Sequence, residues 1–405
     1  MTEPTLDPSP AGAAGAATAG PATAGPARSP CRRLAIAAGV TAAAITVIGV
    51  PAAAFGLTSA LGHGPAGNAP MSTIKYHTGN AAKITGSAAR STVKRAASAD
   101  CQAYVALAGG YSVAEVDVAS DTILADSISA DSPEGVAVTP SGGTVYVAET
   151  GQYQVIAVNA STGTETPITV GAYPQDVAVS PDGRKVYATV TGSDSGPGSS
   201  DVVAVISTTT NTVARDITVG AAPRQVVFSP DGSRAYVTTE TAVAVIDTAS
   251  GQVVRTIPDP AGPRGIAVSP DGKTLYVTNP NADGLWVINA AAGQVTARIP
   301  AGAEPYAVAV SPDGSRVYLT DMNSDSVSVL ATATLHTLAT VPVGRLPGSV
   351  AVTPDGSQVW VGNNLTGSIS VISPATDTVS ATISGGSGTA TLLAGPLGIA
   401  FSKAG

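Results

Sequence analysis

The sequence predicts an all-β protein: a seven-bladed β-propeller of four-stranded antiparallel blades, closed by the C-terminal strand joining the N-terminal blade. Three observations carry that prediction. The 405 residues include 45 Gly and 30 Pro, and the 44% hydrophobic fraction is mostly Ala and Val with only 4% aromatics, a mixture of turn formers and small or β-branched residues. A phrase of Pro, a short apolar run, Pro-Asp-Gly and an aromatic starts at Pro133, Pro174, Pro223, Pro263, Pro305 and Pro347, at intervals of 41, 49, 40, 42 and 42 residues. Such a period is that of a propeller blade. A seventh copy is split, with "PLGIAFS" from Pro396 supplying its first strand and the stretch from Tyr104 supplying the rest. Joined, the two parts leave no open sheet edge.

Taken in order, residues 1–33 read as a disordered tail, because Ala, Gly, Pro, Ser and Thr dominate and cannot bury enough surface to offset the entropy of ordering. Residues 34–62 carry no charge and follow Arg32 and Arg33. The run is long enough for a transmembrane helix, since roughly 20 residues span a bilayer. It also resembles a secretory signal, with Ala52-Ala53-Ala54 as a small-residue cleavage site. The double arginine leaves a twin-arginine export signal open as well. The long preceding tail favours an uncleaved single-pass anchor with its amino terminus in the cytoplasm. Lys75, Lys83, Arg90, Lys94 and Arg95 on the supposed outer side weaken the positive-inside count. On either reading the propeller lies outside the cytoplasm, membrane-held or secreted. Residues 63–100 are polar, basic and aperiodic, and read as a flexible linker.

From residue 101 to 403 the repeats take over. In the copy starting at Pro263, residues 265–269 form the innermost strand, Pro270-Asp271-Gly272 the turn, and residues 275–278 the second strand. Residues 285–289 and 294–299 form the third and outer strands. Seven such blades require twenty-eight strands. Tyr104, Tyr146, Tyr187, Tyr236, Tyr276, Tyr318 and Trp360 recur at one position of the second strand. One aromatic per blade at a fixed phase is what blade-to-blade packing demands, rather than a ligand-stacking stripe. Asp182, Asp231, Asp271, Asp313 and Asp355 read as turn chemistry, since the first copy has Ser141 instead.

The tetrapeptide Tyr276-Val277-Thr278-Asn279 after Ser269-Pro270-Asp271-Gly272 resembles the YVTN family of β-propeller repeats, a group of mostly exported bacterial and archaeal proteins. The resemblance extends over residues 101–403. It implies a seven-bladed propeller and no single activity. The Gly-His and Trp-Asp pairs of WD40 propellers are missing.

Charge separates the chain into two parts. The first hundred residues carry eight Lys/Arg against three Asp/Glu, and the remainder twelve against twenty-five. An acidic body repels nucleic-acid phosphates, which excludes nucleic acid as a partner. Cys31 and Cys101 flank the apolar run, so no disulfide framework is expected. His63, His77 and His336 are scattered, and no metal or cofactor is expected.

With the first strand innermost, the turns after strands one and three lie on one face, and the variable loops on the other. Function in propellers is grafted on variable loops. A candidate ligand site at the channel mouth therefore comprises Glu134, Gln175, Asp176, Arg224, Gln225, Arg264 and Tyr306, the residues following the repeated proline. The loop after strand two adds Glu149, Tyr153, Glu240, Asn279, Asp321 and Asn363. Arg224 and Arg264, on adjacent blades, suit an anionic or carbonyl-bearing ligand; the alternative is a hydrated rim of mutually paired charges. Two Gly/Ser-rich insertions, 191–201 and 384–396, read as flexible, apart from Leu392 and Leu393, which would cover the channel or meet a partner.

Two functional classes compete. The first is a monomeric binding or scaffold module for a protein or cell-envelope component. The second is an enzyme related to propeller lactone hydrolases or streptogramin-type lyases. Against the enzyme stand the missing nucleophile elbow and the placement of His336 on the turn face, although carboxylates could act as bases. A third reading, a redox accessory subunit, lacks a cofactor ligand.

Overall fold

The computed structural model describes residues 101–124, 128–192, 201–259, 261–282, 284–384 and 395–402. The tail, the 34–62 segment, the 63–100 linker, His63, His77 and most of both insertions, Leu392 and Leu393 included, lie outside the described residues. Among the described residues no helix is long and apolar enough to cross a membrane.

Seven antiparallel sheets form seven blades. Blades 1 to 6 span residues 133–169, 173–218, 226–258, 266–300, 305–342 and 347–384, each with four strands in consecutive order. Blade 7 takes its inner strand, Pro396–Phe401, from the far end of the chain and pairs it with Gln102–Leu107, followed by Ser112–Asp117. Its outer edge consists of two short pieces, Thr122–Ile123 and Ile128–Ser129, both paired with Ser112–Asp117, so this blade has five strands where four were expected. At the seam, Ser402 Oγ accepts from Gln102 N at 3.0 Å and the Cys101 Sγ donates to Ser402 O at 2.9 Å.

Blade 4 shows how the repeat folds. Its strands are Ile266–Val268, Thr274–Asn279, Gly284–Asn289 and Gln294–Pro300. The inner strand is shorter than the predicted 265–269, because Gly265 N turns instead to the Thr278 hydroxyl. In the turn between the first two strands, Asp271 Oδ1 accepts from Ser269 Oγ at 2.6 Å and from Lys273 N at 3.0 Å. Gly272 has φ +72°, which only glycine adopts cheaply, and a Cβ there would sit 3.4 Å from Pro230 of the preceding blade's turn. The outer strand alternates exposed and half-buried residues, as an edge with one wet side should.

The recurrent aromatics hold neighbouring blades together. Tyr146 packs with Val177, Val186 and Ala188 of blade 2, Tyr276 with Val308 and Leu319 of blade 5, and Trp360 with Val105 and Ile399 of blade 7. The same arrangement recurs at every interface, so the core is a ring of seven clusters between blades. Tyrosine bodies supply the apolar area, and the Tyr146 hydroxyl donates to Asn211 Oδ1 at 2.8 Å.

Candidate functional site

The repeated proline lies at the start of the inner strand or just before it, and the two or three residues after it face the channel. These positions line a cavity of about 390 Å³ at the channel mouth. Glu134, Gln175, Asp176, Arg224, Gln225, Arg264 and Tyr306 all lie on its wall. The ring is uneven. Blades 1 to 4 contribute every charged side chain of the lining, whereas blades 6 and 7 contribute Gly348, Ser349, Leu397 and Gly398.

A buried threonine sets the backbone that carries the arginines and Tyr306. Thr189, Thr238 and Thr278, the third letter of the tetrapeptide, are fully buried. Their hydroxyls accept from Asp176 N at 3.0 Å, Gln225 N at 3.1 Å and Gly265 N at 2.7 Å in their own blades. The same hydroxyls donate to Arg224 O at 2.7 Å, Arg264 O at 2.8 Å and Tyr306 O at 2.8 Å in the next. Each clip thus fixes one blade's wall residue relative to its neighbour's. Side chains do similar work one layer down: Asp176 Oδ2 accepts from Val226 N at 3.0 Å, and Gln225 Oε1 from Ile266 N at 2.7 Å.

The charged groups of the wall come from four consecutive blades. Burial pushes the Glu134 carboxyl up from 4.5 to about 7; Arg264 opposes the rise, Asp176 adds to it, and a hydrogen bond with Thr150 opposes it. Burial likewise raises Asp176 from 3.8 to about 7, against the two backbone N–H groups that favour its ionised form. Burial and the neighbouring Arg264 charge lower the pKa of Arg224, whose Nε is buried with no hydrogen-bond partner among the described residues. Arg264 is better settled: its Cζ lies 4.2 Å from the Tyr306 ring centroid and its guanidinium donates to the Tyr306 hydroxyl. Two carboxyls poised near neutrality and a guanidinium with an open donor can exchange a proton with water and steady an oxyanion.

The residues expected from the loop after strand two are not brought to this cavity. Glu149, Asn279, Asp321 and Asn363 end their strands, and the loops fold over them until all four are buried. Glu149 accepts from Asp131 N at 2.9 Å and from Gln154 Nε2 at 2.6 Å. Asp321 accepts from Gly302 N at 3.0 Å and Ser328 Oγ at 2.6 Å, and burial raises its pKa. Asn363 donates to Ser370 Oγ at 3.0 Å, and Asn279 to Val277 O at 3.2 Å beside Asp259, whose carboxyl burial pushes up to about 6. These side chains tie down loops, and water does not reach them. Glu240 is exposed and acts on Arg224 only through its charge. Tyr153 is exposed and stacks edge-on against Tyr173, with ring centroids 5.1 Å apart. His336 stands in the turn before the outer strand of blade 5, on the face opposite the mouth, as expected. The threonine clip, Ser349 and Leu397 were missed because none is charged; the recurrence of Thr in the tetrapeptide was the signal that could have revealed the clip.

The fold and the cavity define a seven-bladed β-propeller with a polar channel mouth. A model of the family described as Lactonase, 7-bladed beta-propeller, matches residues 177–333. The chain is similar to a solved structure of Kuenenia stuttgartiensis hydrazine synthase, with 27% identity over 66% of this chain and 91% of that one and a TM-score of 0.60. It is also similar in fold to a putative 6-phosphogluconolactonase from Bacteroides uniformis, with 17% identity over 74% of this chain and 99% of that one and a TM-score of 0.60. A second such protein, from Bacteroides fragilis, gives 15% identity over 75% and 98% of the two chains and a TM-score of 0.59. No curated protein matches the chain.

Proposed function

We propose that the channel mouth is a hydrolytic site for a small cyclic ester, so that the protein acts as a lactone hydrolase. The observation that carries this reading is that Glu134 and Asp176, both raised to about 7, line one cavity with Arg224 and Arg264. The lactonase family model over residues 177–333 supports it. Asp176 is held by Val226 N, which leaves Glu134 as the base. Its carboxylate takes a proton from water as the water oxygen bonds to the lactone carbonyl carbon. The oxyanion that forms is steadied by Arg224 and Arg264. When the ring C–O bond breaks, the leaving alkoxide recovers the proton from Glu134, giving a hydroxy acid.

The test is ring opening of aldonolactones and simple γ- and δ-lactones by the purified chain, followed by proton release. Glu134→Gln should lower kcat by at least about 100-fold, and wild-type kcat/KM should climb as pH rises through about 7. Replacing both arginines should abolish binding. Saturable binding of lactones with no acceleration of their opening would refute hydrolysis and leave a binding module.

That second reading is favoured by the uncharged 34–62 run behind Arg32 and Arg33 and by the likeness of the repeats to the exported YVTN group. On it, the chain is a membrane-anchored or secreted propeller that presents the mouth face to an envelope partner. Sizing the protein from membrane and medium fractions distinguishes anchor from cleaved signal.

A further inference from the structure

The third residue after the repeated proline is apolar in every blade, but its burial is uneven. Val136, Val177, Val226, Ile266 and Val308, in blades 1 to 5, are between 1% and 7% exposed. Val350 in blade 6 and Ile399 in blade 7 are only half-buried, and both line the cavity. The residue directly after the proline changes character at the same two blades. It is large and polar in blades 1 to 5, from Glu134 round to Tyr306, then Gly348 in blade 6 and Leu397 in blade 7.

Blades 6 and 7 also bring no free polar side chain to the cavity among the described residues. Ser349 is buried, and its Oγ donates to Pro396 O at 3.1 Å. The inner strand's open backbone edge is common to all seven blades, so the asymmetry lies in the side chains. Glycine brings the apolar sector close to the carboxyl of blade 1. A Cβ on Gly398 would come within 2.6 Å of Glu134 O, so the two inner strands approach this closely only without one.

We propose that the lactone taken at the channel mouth carries a hydrocarbon substituent, which lies on Val350, Leu397 and Ile399 while the ester is turned toward Glu134 and the two arginines. The inference rests on the hydrolysis proposed above and names its substrate class. Apolar surface open to water is stabilised when hydrocarbon covers it, roughly in proportion to area. A hydroxyl or phosphate on the same side would give up water with no side-chain partner in return. The only cationic side chains of the lining, Arg224 and Arg264, belong to blades 3 and 4. A cavity of about 390 Å³ also has room for more than a bare lactone ring.

The experiment compares, on the full chain, lactones that share one ester ring: unsubstituted δ-valerolactone, δ-decalactone with its pentyl chain, and glucono-δ-lactone with its hydroxyls. Expected kcat/KM is at least about tenfold higher for δ-decalactone than for δ-valerolactone, and lower for glucono-δ-lactone than for either. Leu397→Asn and Val350→Thr should each cut the decalactone-to-valerolactone ratio at least about threefold, whereas Leu397→Met keeps it. Calorimetric titration of Glu134→Gln with the same compounds separates binding from chemistry. Preferential binding of δ-decalactone without ring opening by the wild type would refute hydrolysis and uphold the apolar subsite. Equal kcat/KM for all the lactones, a preference for glucono-δ-lactone, or an unaltered ratio in both polar variants would overturn the subsite while hydrolysis stands. Neither binding nor opening of any of them would overturn both.

Discussion

On the face of the Pro-Asp-Gly turns, Ser, Asp and Gly recur almost unchanged from blade to blade, and Asp231 and Asp313 are held down to about 2 by neighbouring hydroxyl and backbone donors. At the channel mouth the same backbone positions the residue after the proline as Glu134, Gln175, Arg224, Arg264, Tyr306, Gly348 and Leu397 in turn. Carboxyls there are pushed up rather than down, and a guanidinium donor is left open. One face stabilises ionised groups with local donors. The other buries them, and the donors they keep do not offset the loss of solvation. The contrast teaches that uniform positions carry the ring, and that the perturbed ionisable groups stand at positions the ring leaves variable.

The sharpest way to break that division is at a packing position. Tyr276→Ala should cost about 3–5 kcal/mol in chemical denaturation by emptying the interface between blades 4 and 5. The division fails if the ligand affinity of the surviving folded protein drops in proportion. On the other side, Asp176→Asn should stabilise the protein by a few kcal/mol above about pH 7 and hardly at all near pH 4. The native carboxyl is raised from 3.8 to about 7, so the folded chain holds its proton longer than the unfolded chain. Wild-type stability therefore falls as pH rises through that window, and thermal midpoints across it give the comparison. Thr238→Val should cost about 1–3 kcal/mol, because it leaves Gln225 N and Arg264 O without the hydroxyl between them. It should also impair lactone binding, showing that a uniform position can position a variable one. The smallest effect belongs to Ser141→Asp in blade 1, which replaces a hydroxyl accepting from Gly143 N at 3.4 Å with the carboxylate of the other turns and should add about 0.5 kcal/mol.

The blade count, the aromatic position and the split seventh blade were legible because each is a periodic property, and Tyr276 or Pro263 needs only its phase within the repeat to be placed. The wall of the cavity was legible for the same reason, through the offset from the proline. What the sequence concealed was burial at the ends of the second strands. Asn279 and Asp321 are polar and stand where a loop begins, which in the chain looks like a surface. In space the loop that enters the same blade closes over them: Gly302 lies so near Asp321 that a Cβ would come within 2.5 Å of its carboxyl carbon. Sequence pattern records the hydropathy of a residue but not which segment comes to lie on top of it.

The seam of blade 7 gives the molecule an order of assembly. Cys101 and Ser402 are 301 residues apart, and strands Gln102–Leu107 and Pro396–Phe401 meet only when both exist. Contacts of such long range form late. Leu397 and Gly398 complete the wall of the cavity from that last strand. An unfinished or prematurely truncated chain thus lacks the last part of the cavity wall as well as the closure, so the mouth is completed only when synthesis has passed the seam.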